Sequence, residues 1–380
     1  GYDGSLIHNS TYYKGIFYDN PGSLKNYYLT SSYGKFTWNG NVSDWANLPQ
    51  TMATYATNPS NFDLMITDAI AAHEPDVNFC NPSPVTNLIL VFNGQVKSGT
   101  PPVNTAFGSL GTWNNVPQSR VDWPTLDGCF ITISVSWEPD NGGFFCCGQT
   151  LDRGIGVTAH ELGHNLTFEH TPPPPGAWVN AGPFSDPYHD PNSVMSNNRD
   201  REGPSPLIAG QRNDVGWMDV GNKATVAIGN SATITLDFIN ESDLGINPQM
   251  ITVPLSNGTS YVVEGHREGL FSDTPQDKSG AIIYINFPDL PLPGGNQYSY
   301  LAQLVDKGAN YSLVATAGTN SESQFDDAML EVSETYVDNV SNVIITTLSK
   351  TATTVTVSVS NNVVSSCSPP AGLDWTISSS

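Results

Sequence analysis

Basic residues are scarce in this chain: Lys and Arg total 14 in 380 residues. A protein that binds nucleic acid or an anionic membrane builds its contact face from cationic patches, and the residues for such patches are missing. Charge of either sign is thin. Only 13% of residues are charged, although 36 acidic residues leave a formal net charge of −22. Ser, Thr and Asn therefore carry the polar surface. Long hydrophobic runs are also lacking. The longest, such as 88–92, are strand-sized, whereas a membrane-crossing helix needs about 20 apolar residues. No Cys-x-x-Cys pair occurs, which argues against a cysteine zinc site. No initiator Met or signal peptide precedes Gly1, which predicts a mature or trimmed form.

What is present points to packed cores. Hydrophobic residues make up 38% of the chain, and 380 residues exceed one ordinary compact core, so two domains are expected. Residues 1–222 read as mixed α/β. Asn87-Leu-Ile-Leu-Val-Phe92 is a buried strand pattern. At 129–137, Phe130, Ile131, Ile133, Val135 and Trp137 alternate with Thr132, Ser134 and Ser136. Leu64, Ile66, Ala69 and Ile70 are spaced as on a helix, and a second helix is expected over 154–166, stopped by the proline run 172–175. From Lys223 the pattern changes to short alternating segments separated by turns, at 224–228, 232–238, 261–264, 281–287 and 343–359. Residues 223–360 are expected to form an all-β sandwich-like domain. Residues 361–380, rich in Ser and Pro, read as a tail or linker.

Four of the five cysteines, Cys80, Cys129, Cys146 and Cys147, precede residue 150. Adjacent Cys146 and Cys147 are poorly placed to bridge each other. If both pair, Cys80 and Cys129 are their partners, in either order. Cys367 is left over, free or paired with another chain or segment, and it offers a route to surface attachment or to a covalent partner. Seven Asn-x-Ser/Thr sequons, at Asn9, Asn41, Asn165, Asn240, Asn257, Asn310 and Asn339, add support for a secreted, extracellular or cell-surface glycoprotein.

The chemistry concentrates at residues 160–170, HELGHNLTFEH. On a helix, positions i and i+4 share a face, so His160 and His164 can present two imidazoles to one metal. His170 supplies a third if the chain turns back after Leu166. Three nitrogens and a water make an open tetrahedral zinc site, with Glu161 beside it as catalytic base.

This segment resembles the long zinc motif of the metzincin peptidases. Asn192-Ser-Val-Met-Ser196 is similar to their Met-turn, with Met195 beneath the metal. Gly22-Ser-Leu-Lys-Asn-Tyr-Tyr28, Ser32-Tyr-Gly-Lys-Phe36, Asn213-Asp-Val-Gly-Trp217 and Gly280-Ala-Ile-Ile-Tyr284 resemble, in order, the immune inhibitor A-like and gametolysin-like peptidases. The resemblance implies an α/β catalytic domain with a twisted mixed sheet and a zinc-motif helix, followed by the all-β domain. It implies a secreted zinc endopeptidase acting on proteins or peptides, often made as a zymogen, with one catalytic Zn²⁺ and structural Ca²⁺. Asp186, Asp190 and Asp200 are candidate Ca²⁺ ligands. It also implies that an extended substrate pairs with an edge strand beside the zinc helix, here carrying Ile131, Ile133 and Val135. Thr167 stands where that family has Gly, and Asn197 where some members have Tyr. The competing reading is a catalytically silent peptidase-fold surface, structural or adhesive glycoprotein. Retention of Glu161 favours the enzyme.

Overall fold

The computed structural model describes residues 8–51, 54–55, 61–80, 86–92, 107–108, 121–125, 128–139, 151–166, 168, 170–171, 190, 192–196, 205–239, 245–267, 279–287, 301–305 and 328–362. Thr167, Asp186, Asn197, Asp200, Cys146, Cys147 and Cys367 lie outside them, as do Asn240, Asn310 and the tail 363–380. No helix among the described residues is long and apolar enough to cross a membrane.

The first part is helical at its start. Helix α1 (Ser10–Lys14) is capped by the Asn9 side chain, which accepts from the Tyr12 amide, and runs into a π-helical turn, Gly15–Asp19. Helix α2 (Leu24–Ser31) begins at Ser23, whose hydroxyl accepts from the Asn26 amide. Helix α3 (Asn61–His73) buries Met65, Ile66, Ala69 and Ile70, while Leu64 is left exposed. The strands β1 (Asn87–Phe92), β2 (Phe107–Gly108), β3 (Val121–Pro124) and β4 (Phe130–Pro139) make a mixed sheet. β1 runs parallel to β4, and β2 and β3 pair antiparallel with it. Helix α4 (Leu151–Asn165) carries the histidine motif, and α5 (Ala209–Asp214) follows.

Strand periodicity sorts this sheet into two faces. Leu88 and Leu90 of β1, with Ile131, Ile133 and Val135 of β4, pack against α3 residues in one cluster. Ile89 and Val91 face the opposite way, toward the cluster of α1, α2 and α4. Helices therefore cover both faces, as a sheet with a parallel pair requires.

Two corrections follow. β4 is not an edge: β1 lies along one side and β2 and β3 along the other. Ile131, Ile133 and Val135 are buried and face α3, away from α4. The second concerns the cysteines. Cys80 bonds Cys129, with Cα atoms 6.3 Å apart, so neither pairs with Cys146 or Cys147.

Beyond a 3-10 turn at Val220–Asn222 the described residues form strands and turns, with no helix among them. The strands are β5 (Lys223–Thr225), β6 (Asn230–Asp237), β7 (Met250–Pro254), β8 (Ser260–Arg267), β9 (Ser279–Phe287), β10 (Leu301–Leu304), β11 (Thr335–Asp338), β12 (Val343–Lys350) and β13 (Thr354–Asn361). They form two sheets, ordered β10-β9-β8-β7-β5 and β11-β12-β13-β6. Tyr261, Val263 and Ile283 from the first interlock with Leu236, Val343, Ile345 and Val355 from the second. The second sheet alternates cleanly, β13 burying every other residue. β8 does not alternate: six consecutive residues, Tyr261 to His266, are buried. Its other face, with Val262, Ile282 and Tyr284, packs on Ile208, Ala209 and Met218 of the mixed part. The five-stranded sheet is thus sandwiched between its partner sheet and the helical part.

Candidate metal centre

The site begins with α4. Ile155, Ala159 and Leu162, at positions i, i+4 and i+7, bury one face of the helix against α1 and α2. The hydroxyl of Tyr28 donates to the Ala159 carbonyl at 2.6 Å, tying α2 to the helix next to His160. Burial, with Tyr27 and the Glu161 carboxylate adding, holds the Tyr28 phenol well above the usual range. On the sheet side, Asn165 Nδ2 donates to Val135 O at 3.3 Å, and its Oδ1 accepts from Ser136 at 3.4 Å. Asn165 is nearly buried. Its side chain is committed to the sheet, so this sequon cannot carry a glycan. Among the others, Asn9, Asn41, Asn257 and Asn339 are exposed.

After Asn165 the helix ends, and the Phe168 amide reaches back five residues to Gly163 O at 3.0 Å. This return brings His170 to the other two histidines. The Nε2 atoms of His160, His164 and His170 lie 3.0–3.1 Å from one another. Among the described residues this trio is the His/Cys/Asp/Glu group close enough to hold a metal ion. His160 and His164 are buried and His170 is half-buried, which marks the side open to solvent. Glu161 is nearly buried beside them.

The imidazoles are held in the tautomer that a metal needs. His160 Nδ1 donates to Val194 O at 2.7 Å, and His164 Nδ1 donates to Phe168 O at 2.8 Å. Carbonyl partners place the protons on Nδ1 and leave the Nε2 lone pairs bare. Burial pushes His164 down to about 4, against the pull of Phe168 O, so the ring stays neutral near pH 7. The bare Nε2 of His164 faces Nε2 of His160 at 3.1 Å, an arrangement that a shared cation would satisfy. The spacing suits a small one. Tetrahedral zinc, with Zn–N of about 2.0–2.1 Å, sets its nitrogens roughly 3.3–3.4 Å apart.

Met195 packs against Gly163 of α4 and is fully buried with Val194. The turn that carries it is closed by its own polar atoms. Ser193 Oγ accepts from the Met195 amide, and the Ser196 amide donates to Ser193 O. The Thr171 amide donates to Met195 O at 3.2 Å, joining the turn to the residue after His170. Asp190, a candidate Ca²⁺ ligand, is otherwise engaged. Its Oδ1 accepts from the Asn192 amide and its Oδ2 from the Tyr284 hydroxyl.

Sequence reasoning missed the residues that orient the trio. Val194 and Phe168 act through backbone carbonyls, which leave no residue-type signal. Tyr27 and Tyr28 had one faint signal, two adjacent aromatics on a helix, and both prove fully buried, Tyr27 donating to Ser205 O at 2.8 Å. Compared with known protein families the chain matches no family profile, and compared with curated proteins it matches none.

Proposed function

We propose that the chain is a zinc-dependent endopeptidase of metzincin type, secreted or displayed outside the cell. The observation that carries this reading is the convergence of three Nε2 atoms within 3.1 Å, two of them on rings whose Nδ1–H is held by a backbone carbonyl. His160, His164 and His170 would hold the ion. Zinc in such a site supplies a Lewis acid and lowers the pKa of a coordinated water to about 7. Glu161 follows His160 directly on α4. Its part is to take a proton from the attacking water and deliver it to the departing amine nitrogen. The packing around α4 keeps bulk water from the buried side, so the carboxylate acts in a low dielectric. An extended peptide would meet the sheet at the flank made by β2 and β3, since β4 is interior. The Cys80–Cys129 bridge favours an oxidising compartment.

The test is casein hydrolysis by wild type and Glu161→Ala, with metal content determined for both. Cleavage by wild type, about 10²–10⁴-fold loss in the variant, and one zinc in each support the reading. Zinc in both with hydrolysis by neither, after removal of any propeptide, gives way to a silent surface glycoprotein. A wild type that takes no zinc removes the metal assignment.

A further inference from the structure

The all-β part touches the metal centre through one buried chain of hydrogen bonds. It starts on β9. The Tyr284 hydroxyl, on the face of the sheet turned toward the mixed part, donates to Asp190 Oδ2 at 3.1 Å. The other oxygen of that carboxylate accepts from the Asn192 amide at 2.8 Å, and the Asp190 amide donates to Ser196 Oγ at 2.7 Å. Asp190 thus grips both ends of the turn 192–196. Inside that turn, Val194 O accepts from His160 Nδ1, and Met195 lies against α4. Asp190, Tyr284, Val194 and Met195 are all fully buried.

Residues past 222 make two further ties to the segment that follows. Glu264 Oε2 accepts from the Ala209 amide at 2.6 Å, at the start of α5, where Ile208 provides no side-chain cap. Arg212 of α5, fully buried, donates to Ile239 O and to the Tyr33 hydroxyl. Leading into α5, Pro206 O accepts from the Val194 amide at 3.3 Å. The Met195 turn is therefore held from two directions by residues past 222.

We propose that Tyr284 and Asp190 are positioning residues: the β9 hydroxyl fixes Asp190, Asp190 fixes the turn, and the turn fixes the imidazole of His160 for the metal. On this view the all-β part is a component of the site rather than an appendage. The proposal rests on the zinc-peptidase reading for its kinetic consequence, but not for its structural one.

The experiment compares Tyr284→Phe with Tyr261→Phe in the full chain. Tyr261 lies on the opposite face of the same sheet, and its hydroxyl bonds Tyr336 and Asp338, far along the chain from the turn. Both variants lose one buried phenol hydroxyl and keep the ring. Three readouts are taken: amide hydrogen exchange at 192–196 in the metal-free protein, zinc release to a chelator, and kcat and KM on an unfolded protein. We expect Tyr284→Phe alone to speed exchange in the turn. It should also raise the zinc release rate and lower kcat, each by about 3- to 10-fold, with KM unchanged, since outer-shell partners of a metal ligand carry effects of about 10–100-fold when adjacent to it. Unchanged exchange in Tyr284→Phe, or equal effects in Tyr261→Phe, overturns the proposal. Faster exchange in a chain whose wild type neither takes zinc nor cleaves keeps the tether and discards the peptidase reading.

Discussion

A Cβ atom on Gly163 would run into Met195. The nearest atom is the Met195 Sδ, with Cε at 3.1 Å and Phe168 Cδ2 at 3.6 Å. Gly163 sits between the two candidate histidine ligands of α4, and its missing side chain lets the turn pack directly on the helix. A glycine inside a helix costs about 1 kcal/mol relative to alanine. Here that cost purchases the close approach.

Gly163→Ala should therefore destabilise the protein despite its better helix propensity. A thioether end can bend away when it has room, but Met195 is fully buried in the α2–α4 cluster. Overpacking of this kind costs about 1–3 kcal/mol. The diagnostic is the sign in a second background. In Met195→Ala, which vacates the space, Gly163→Ala should turn neutral or stabilising by up to about 1 kcal/mol. Urea unfolding of the four proteins measures this, and additive effects across the cycle would show that the contact carries no strain.

The disulfide gives a second expectation. Cys80 follows the turn after α3, and Cys129 directly precedes β4, so the bridge pins the helix to the sheet face that it covers. Its loop of 49 residues corresponds to about 4 kcal/mol of chain entropy on the loop-closure estimate. Peptide mapping under non-reducing conditions should recover Cys80 linked to Cys129. Reduction, or Cys80→Ser with Cys129→Ser, should lower Tm by several degrees. Recovery of Cys80 or Cys129 joined to Cys146 or Cys147 would contradict the fold of this sheet.

The candidate metal ligands were legible because their information is local. His160 and His164 share a helix face by spacing alone, and β1 ends where its apolar run ends. What failed was non-local. β4 looked like an edge because β2 and β3, two and four residues long, are too short to show a period. The Cys80 partner was undecidable because connectivity depends on which strand starts beside which helix. β8 was identified as a strand but not as doubly buried. Its Glu264 and His266 look like surface residues in the sequence, and they are buried because the Ala209 amide and each other satisfy them.

The last prediction concerns pH and the carboxyl of Asp190. Burial pushes it up to about 6 from an ordinary 3.8, against the pull of the Asn192 amide, the Tyr284 hydroxyl and His266, with Glu264 adding to the push. Between roughly pH 4 and 6 the folded protein then holds a proton that the unfolded chain has released. Stability must fall as pH rises through this window, by on the order of 3 kcal/mol for a shift of this size. Asp63 is pushed up by burial as well and Asp338 is held down, so the effect is read as a difference between two proteins. Asp190→Asn removes this titration and leaves the other groups in place, including Glu264 and His266, which face the same buried space. Replacing the carboxylate also changes its hydrogen bonds, but that offset does not vary with pH. Denaturant unfolding of both proteins, metal-free, at pH 4 and pH 7 should show the difference in stability shifting toward the variant at the higher pH. A difference that stays flat would mean that the Asn192 and Tyr284 donors already keep Asp190 ionised at pH 4. The turn would then be gripped by a full negative charge across the whole range.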